Sequence, residues 1–281
     1  MTYVALAASP PAYRDASRLV WRRAAPGAYP LAADRRLVAE ETPIAFSYEG
    51  VSYAVMMASP ADLDDFAVGF TLNEGIVASP AEIEAIEAVP GEDGIVVRMS
   101  LAAAPAAVFW ERRRYLAGPS GCGLCGIESL AQAARKPPMV GPGICVRGED
   151  VASAMAALPG LQPMNRITGA LHAAAFWTPQ QGIVAVREDV GRHNALDKLT
   201  GAAARAGFSG AAGVLLLTSR VSVEMVQKAA SFGAGLVVAV SAPTALAVRA
   251  AESAGITLIA VARRDGFEAF THSRRILPSA G

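Results

Sequence analysis

Residues 213–266 read GVLLLTSRVSVEMVQKAASFGAGLVVAVSAPTALAVRAAESAGITLIAVARRDG. Three short apolar runs, Gly213–Thr218, Leu236–Ser241 and Thr257–Ala262, alternate with stretches of helical periodicity that open near Ser222 and Thr244. Ile183–Arg187 extends the pattern upstream, with a further helix opening near Arg192. Runs that are apolar along their whole length suit strands covered on both faces, so the alternation predicts a mostly parallel α/β sheet. Each run ends in a polar or basic cluster: Glu188–Asn194, Thr218-Ser219-Arg220, Ser241–Thr244 and Arg263-Arg264-Asp265-Gly266. Open parallel sheets bind ligands beyond the carboxyl ends of their strands, and these clusters mark that rim as the expected site.

Upstream the pattern changes. Pro43–Tyr48 and Ser52–Met57, joined across Glu49-Gly50, predict a β-hairpin. Ser59-Pro60-Ala61-Asp62 supplies a helix start and Gly75 a stop, which predicts a helix from Pro60 to Glu74. Ser79-Pro80-Ala81-Glu82 repeats the start signal for a shorter helix, and Ile95–Leu101 returns to strand. Residues 1–40 show only weak periodicity. The expected organisation is a loose leader over 1–40, a small α+β subdomain over 41–117, a Gly/Cys loop with a following helix over 118–136, and an α/β cofactor-binding domain over 137–281.

Composition narrows the function. The 281 residues are 53% hydrophobic, with 25 Lys plus Arg against 25 Asp plus Glu. A net charge of zero provides no field for a nucleic-acid backbone or an anionic membrane. The most apolar stretch, 233–262, is interrupted by Ser241, Pro243, Arg249 and Glu252, and a membrane span is not expected. The first residues lack the pattern of a secretory signal, and three cysteines cannot form a disulfide scaffold. A cytoplasmic location follows as an expectation.

Two of those cysteines stand in Gly118-Pro-Ser-Gly-Cys-Gly-Leu-Cys-Gly126, a composition that favours a loop. Arg112, Arg113 and Arg114 precede Cys122 and Cys125, and Arg135 and Lys136 follow. Neighbouring cations stabilise a thiolate, which can attack a persulfide and carry sulfur as Cys–S–S⁻. Half of a zinc site and simple loop packing are the alternatives at this point. His172, in Thr168-Gly-Ala-Leu-His172, invites comparison with the zinc deaminases, but Ala174 stands where their glutamate would be. A lone His flanked by alanines reads more readily as a hydrogen-bonded core residue than as a ligand contact. Asp189, Arg192, His193 and Asn194 gather at a helix start, as do Thr218, Ser219, Arg220 and Ser222 one strand later. Such starts favour an anion, with ordinary capping as the alternative. Arg263 and Arg264 suit phosphate recognition, and Asp265 could accept from a guanine edge.

Taken together, Cys122–Gly126, Thr168–His172, Glu188–Lys198, Thr218–Arg220 with Glu224, Met225 and Lys228, Val55–Pro60 and Phe70–Gly75 closely resemble the FdhD family of formate dehydrogenase accessory sulfurtransferases. The resemblance runs from about Pro43 to Ile276. It implies a sulfurtransferase that accepts sulfur from a cysteine desulfurase as a persulfide. The sulfur would pass to the molybdenum cofactor, Mo-bis(molybdopterin guanine dinucleotide), for formate dehydrogenase. Cys122 would be the carrier and Cys125 its assistant, with no resident metal. The cofactor segment would be Val261, Ala262, Arg263, Arg264, Asp265 and Gly266, joined on the rim by Arg192, His193, Ser219 and Arg220. A cytidine-deaminase-like three-layer sandwich and a homodimer are implied as well. The competing class is a non-catalytic cofactor chaperone whose cysteine pair binds zinc or is structural.

Overall fold

The computed structural model describes residues 2–4, 10–21, 31–116, 136–263 and 265–278. The strands that decide the fold are β9 (His172–Thr178), β10 (Gly182–Asp189), β11 (Val214–Leu217), β12 (Leu236–Ala239), β13 (Thr257–Arg263) and β14 (Gly266–Ala269). They form one six-stranded sheet in the order β10-β9-β11-β12-β13-β14. Alternate side chains leave opposite faces of a strand. Leu215, Leu217, Val237, Ala239, Leu258 and Ala260 therefore face one core, while Val214, Leu216, Leu236, Val238 and Ile259 face another. Helices α5 (Arg192–Arg205), α6 (Val223–Phe232) and α7 (Ala245–Ala254) cover the first face through Leu196, Leu199, Met225, Val226, Ala247 and Ala251. Helix α3 (Gly148–Ala157), which follows the two-residue strand β8 (Val146–Arg147), covers the second through Val151, Ala154 and Met155.

The expectation of a mostly parallel sheet needs correction. Only β11–β12 and β12–β13 pair in parallel, whereas β9 runs antiparallel to both β10 and β11, and β14 runs antiparallel to β13. The cause is local: β9 and β10 are separated by only three residues, a connection that permits a hairpin and no crossover. Strand β9 reads HAAAFWT, and its run of alanines hides it from a propensity reading.

The first unit is a five-stranded mixed sheet in the order β1-β6-β7-β4-β5. It comprises β1 (Thr2–Val4), β4 (Thr42–Tyr48), β5 (Val51–Ala58), β6 (Ile83–Pro90) and β7 (Ile95–Leu101). Helix α1 (Leu63–Asn73) packs on it through Phe66 and Phe70, and α2 (Ala103–Leu116) through Phe109. Helix α1 starts later than Pro60 because Asp62 adopts a left-handed backbone, φ 53°. Ser59, read from sequence as the cap, bonds across to Asp189 and Val190 instead. The short helix expected at Ser79 is one 3₁₀ turn, Pro80–Glu82, that leads into β6. Within 1–40, β2 (Tyr13–Trp21) and β3 (Leu31–Ala39) form an antiparallel ribbon. Arg36 ties it to the body by donating to the Thr168 carbonyl at 2.7 Å, next to α4 (Pro163–Thr168). Among the described residues no helix is long and apolar enough to cross a membrane.

The two units meet where α1 crosses α5. A Cβ on Gly69 would lie 1.7 Å from the Asp197 carbonyl oxygen, and one on Gly201 would lie 1.9 Å from that of Asp65. The crossing therefore demands glycine on both helices. Charges ring it: Arg187 holds Asp65 at 2.6 Å, and Arg205 holds Asp65 at 2.6 Å and also pairs with Asp64. Gly69→Ala or Gly201→Ala should destabilise the protein by roughly 3 kcal/mol or prevent folding, because backbone must move to admit the methyl. Gly141, with nothing within 4 Å of its would-be Cβ, serves as the control. Urea unfolding should show Gly141→Ala close to the parent; equal effects at all three positions would contradict this packing.

Candidate functional site

The rim at the carboxyl ends of β10–β13 is built around one buried carboxylate. Asp189 ends β10 with no solvent exposure and accepts four donors. Its Oδ2 takes Lys198 Nζ at 2.6 Å and the Ser59 backbone N–H at 3.0 Å. Its Oδ1 takes the Gly191 N–H at 2.8 Å and Asn194 Nδ2 at 2.9 Å. Burying both members of an ion pair costs desolvation that the pairing roughly offsets, so the gain is chiefly geometric. Asp189 fixes the turn from β10 into α5 and fastens it to the first unit. Glu188, also buried, accepts the Met164 and Asn165 N–H groups at 3.0 and 2.8 Å. It thereby caps α4, and Asn165 Oδ1 accepts the Leu171 N–H at 3.1 Å. The segments Thr168–His172 and Glu188–Lys198, far apart in sequence, thus form one structure.

The structure brings Arg192 and His193 together in the first turn of α5. The N-cap, Gly191, has no side chain to satisfy that turn, and the Ser222 hydroxyl at the start of α6 bonds Glu224 at 3.1 Å instead of capping. Helix α7, by contrast, is capped by Thr244. His193 Nε2 lies 3.1 Å from Glu224 Oε2 and 3.4 Å from Ser222 Oγ, a link between the two uncapped starts. His172 begins β9 on the same rim, half-buried and in register with Asp189. Burial first, and then the Arg192 charge, lowers the pKa of both histidines below 6.5. Arg220 is exposed on the neighbouring loop, whereas Ser219 is buried with its hydroxyl on the Arg220 carbonyl at 3.0 Å. Ser219 shapes the loop and Arg220 presents the charge.

At the far end of the rim, Val261 has φ +52°, in a bulge of β13 between Ala260 and Arg263. A β-branched residue in the left-handed region is a strained conformation, of the kind found where backbone is shaped for a ligand. Ala262 is buried, and Arg263 is exposed with its Nη1 on the carbonyls of Ala262, at 3.0 Å, and Val240. Arg263 pairs across a hairpin with Gly266, so the segment continues into β14, which the sequence did not foretell. Asp265 and Gly266 are exposed, and Arg264 lies outside the described residues. With strands about 4.8 Å apart, β13 lies two positions, roughly 10 Å, from β11 and four positions, roughly 19 Å, from β10.

Beneath the rim lies a second buried system that sequence reasoning left aside. Asp197 accepts Asn73 Nδ2 at 2.6 Å and Lys228 Nζ at 2.8 Å, and Glu74 stands 3.8 Å from Lys228. Burial lowers the Lys228 pKa, but the Asp197 and Glu74 charges outweigh it and leave the ammonium firmly charged. A signal was present in α6, where Glu224 and Lys228, four residues apart, share one face. Cys122 and Cys125 lie outside the described residues. Cys145 is exposed, and among the described residues no group of three or more His, Cys, Asp or Glu could hold a metal ion.

The sequence model of the FdhD/NarQ family matches residues 39–277. A curated protein of Agrobacterium fabrum, named sulfur carrier protein FdhD, is 52% identical over 266 residues, which cover 94% of this chain and 96% of that protein. A protein of the same name from Cupriavidus necator is 46% identical over 269 residues, 96% of this chain and 92% of its own. The fold is shared with a crystal structure assigned as a formate dehydrogenase accessory protein from Desulfotalea psychrophila. The TM-score is 0.72 at 23% identity, covering 95% of this chain and 100% of that one.

The two histidines set a pH dependence. Their folded pKa values lie below 6.5, so the unfolded chain binds protons that the folded protein resists. Stability should fall as pH drops through about 6.5 towards the folded values. Urea midpoints at pH 7.5 and 5.5 should differ less in the His172→Gln/His193→Gln double variant than in the parent; an undiminished difference would contradict this assignment.

Proposed function

The chain belongs to the FdhD/NarQ family, and from that premise we propose that it is a sulfur carrier for formate dehydrogenase. In this reading the Cys122 thiolate takes the terminal sulfur of a cysteine desulfurase persulfide. A new S–S bond forms at Cys122, the donor's S–S bond breaks, and the desulfurase cysteine leaves as a thiolate. Cys125 assists, and the sulfur passes to the molybdenum cofactor, Mo-bis(molybdopterin guanine dinucleotide), held as cargo. The names of the relatives support the sulfur-carrying role. The cations Arg112–Arg114, Arg135 and Lys136, close to Cys122 in sequence, support a reactive thiolate. A cytoplasmic location and assembly as a homodimer belong to the same proposal.

The observation that carries the cargo assignment is the breadth of the rim. Arg192, His193 and Arg220 stand beside two helix starts without side-chain caps, and Arg263 stands at the other end of the same edge. A site of that length suits an extended anionic dinucleotide better than one phosphate. Val261, Ala262, Arg263, Arg264, Asp265 and Gly266 would meet the guanine nucleotide end, with Asp265 accepting from the base and the strained Val261 backbone setting the bulge. His193 and Arg192 would meet the phosphates. Ser219 would act by fixing the loop that presents Arg220.

Cells lacking their own copy of the gene test both halves. Expression of Cys122→Ala should leave formate dehydrogenase at background activity while the purified variant melts like the parent. Retained activity would contradict the sulfur-carrier reading. Arg263→Ala should weaken GDP binding about tenfold or more, the loss expected for one charge-assisted hydrogen bond; unchanged affinity would move the nucleotide away from β13. Cys122→Ala that still restores activity, together with zinc held by the parent protein, would favour a chaperone whose cysteine pair is structural.

A further inference from the structure

His193 lies in a built cluster whose chemistry the sulfur-carrying role does not require. Its Nε2 meets Glu224 Oε2 at 3.1 Å and Ser222 Oγ at 3.4 Å, and Ser222 Oγ itself donates to Glu224 at 3.1 Å. Both contacts fall on one ring nitrogen, so no proton can pass from Ser222 through the ring to Glu224. A hydrolase-type relay is thereby excluded, since it needs the two partners on opposite nitrogens. What the arrangement does instead is fix the tautomer. An ionised carboxylate accepts only, so Glu224 holds the proton on Nε2. The neutral ring then offers a lone pair at Nδ1, which repels an anion's oxygen. Only a second proton turns Nδ1 into a donor.

We infer that His193, oriented by Glu224, is a contact that takes up a proton when a phosphate-type anion enters the rim. The inference rests on the reading of the rim as an anion site and adds the residue that senses the anion's charge. One proton moves from solvent to Nδ1, the Nε2–H stays on Glu224, and no covalent bond of the ligand changes. The charges facing the ring explain why the balance can tip. Arg192 from its own helix and Lys228 from α6 oppose the proton, while Glu224 from α6 and Asp197 from α5 favour it. Burial and Arg192 keep the ligand-free ring neutral near pH 7. The side chain is 29% exposed, enough for a ligand to reach it. An arriving phosphate adds negative charge beside the ring and stabilises the imidazolium.

The chain has three histidines, His172, His193 and His272, so each ring Cε1–H resonance can be assigned by a single substitution. The experiment is an NMR pH titration of the full chain without and with saturating GDP, with calorimetry to establish binding. The midpoint of His193 should rise by about one pH unit or more on GDP binding, while His272 stays put. In Glu224→Gln the GDP-bound midpoint should be lower than in the parent, because the carboxylate that favours the imidazolium is gone. A His193 midpoint unmoved by bound GDP, or a GDP-bound midpoint in Glu224→Gln as high as the parent's, would overturn the inference while leaving the anion site standing. Failure of GDP to bind the parent at any pH would overturn the rim as an anion site, and the inference with it.

Discussion

Helix α1 can lie against α5 only because neither carries a Cβ at the crossing, and that contact joins the two halves of the molecule. Gly69 and Gly201 bring backbone onto backbone, which places Asp65 within reach of Arg187 and Arg205, and Asn73 within reach of Asp197. It also carries Ser59, just before α1, to Asp189 at the end of β10. The turn from β10 into α5 is therefore shaped by both units at once. Loosen the crossing and the rim loses the carboxylate that organises it, since Asp189 would be left with a buried charge and fewer donors.

Buried charge does different work at two depths. Lys198 and Asp189, both without exposure, hold the turn, while Asp197 and Lys228, one layer lower, tie α5 to α6 and, through Asn73, to α1. Above them the first turns of α5 and α6 keep Arg192, His193 and Glu224 at the surface. A network of paired buried charges below and open side chains above suits a pre-organised anion site, because little rearrangement remains when the ligand arrives. The strained Val261 at the other end of the rim fits the same pattern of backbone held by its surroundings.

Much of this was legible in the sequence. The apolar runs at 214–217, 236–239 and 257–263 are the central strands, and the polar clusters that follow them do line one rim. What escaped was set by tertiary contacts. The alanines at the start of β9 weaken its strand signal, and its antiparallel direction follows from a three-residue connection to β10. Ser59 carries a helix-capping signature yet serves Asp189, since Asp62 takes the left-handed conformation that delays α1. The ribbon of β2 and β3 is exposed and weakly periodic, so its pairing could not be seen in a hydrophobic pattern. His172 draws the eye by analogy, whereas His193 holds the link to Glu224, a residue 31 positions later that only folding brings near.

The central claim is that sulfur travels on Cys122. Intact-protein mass spectrometry after incubation with a cysteine desulfurase and cysteine tests it directly, comparing the parent with Cys122→Ala and Cys125→Ala. The account predicts a gain of about one sulfur atom on the parent, removable by reductant, and its loss in Cys122→Ala. No gain on the parent, or an undiminished gain in Cys122→Ala, would contradict it.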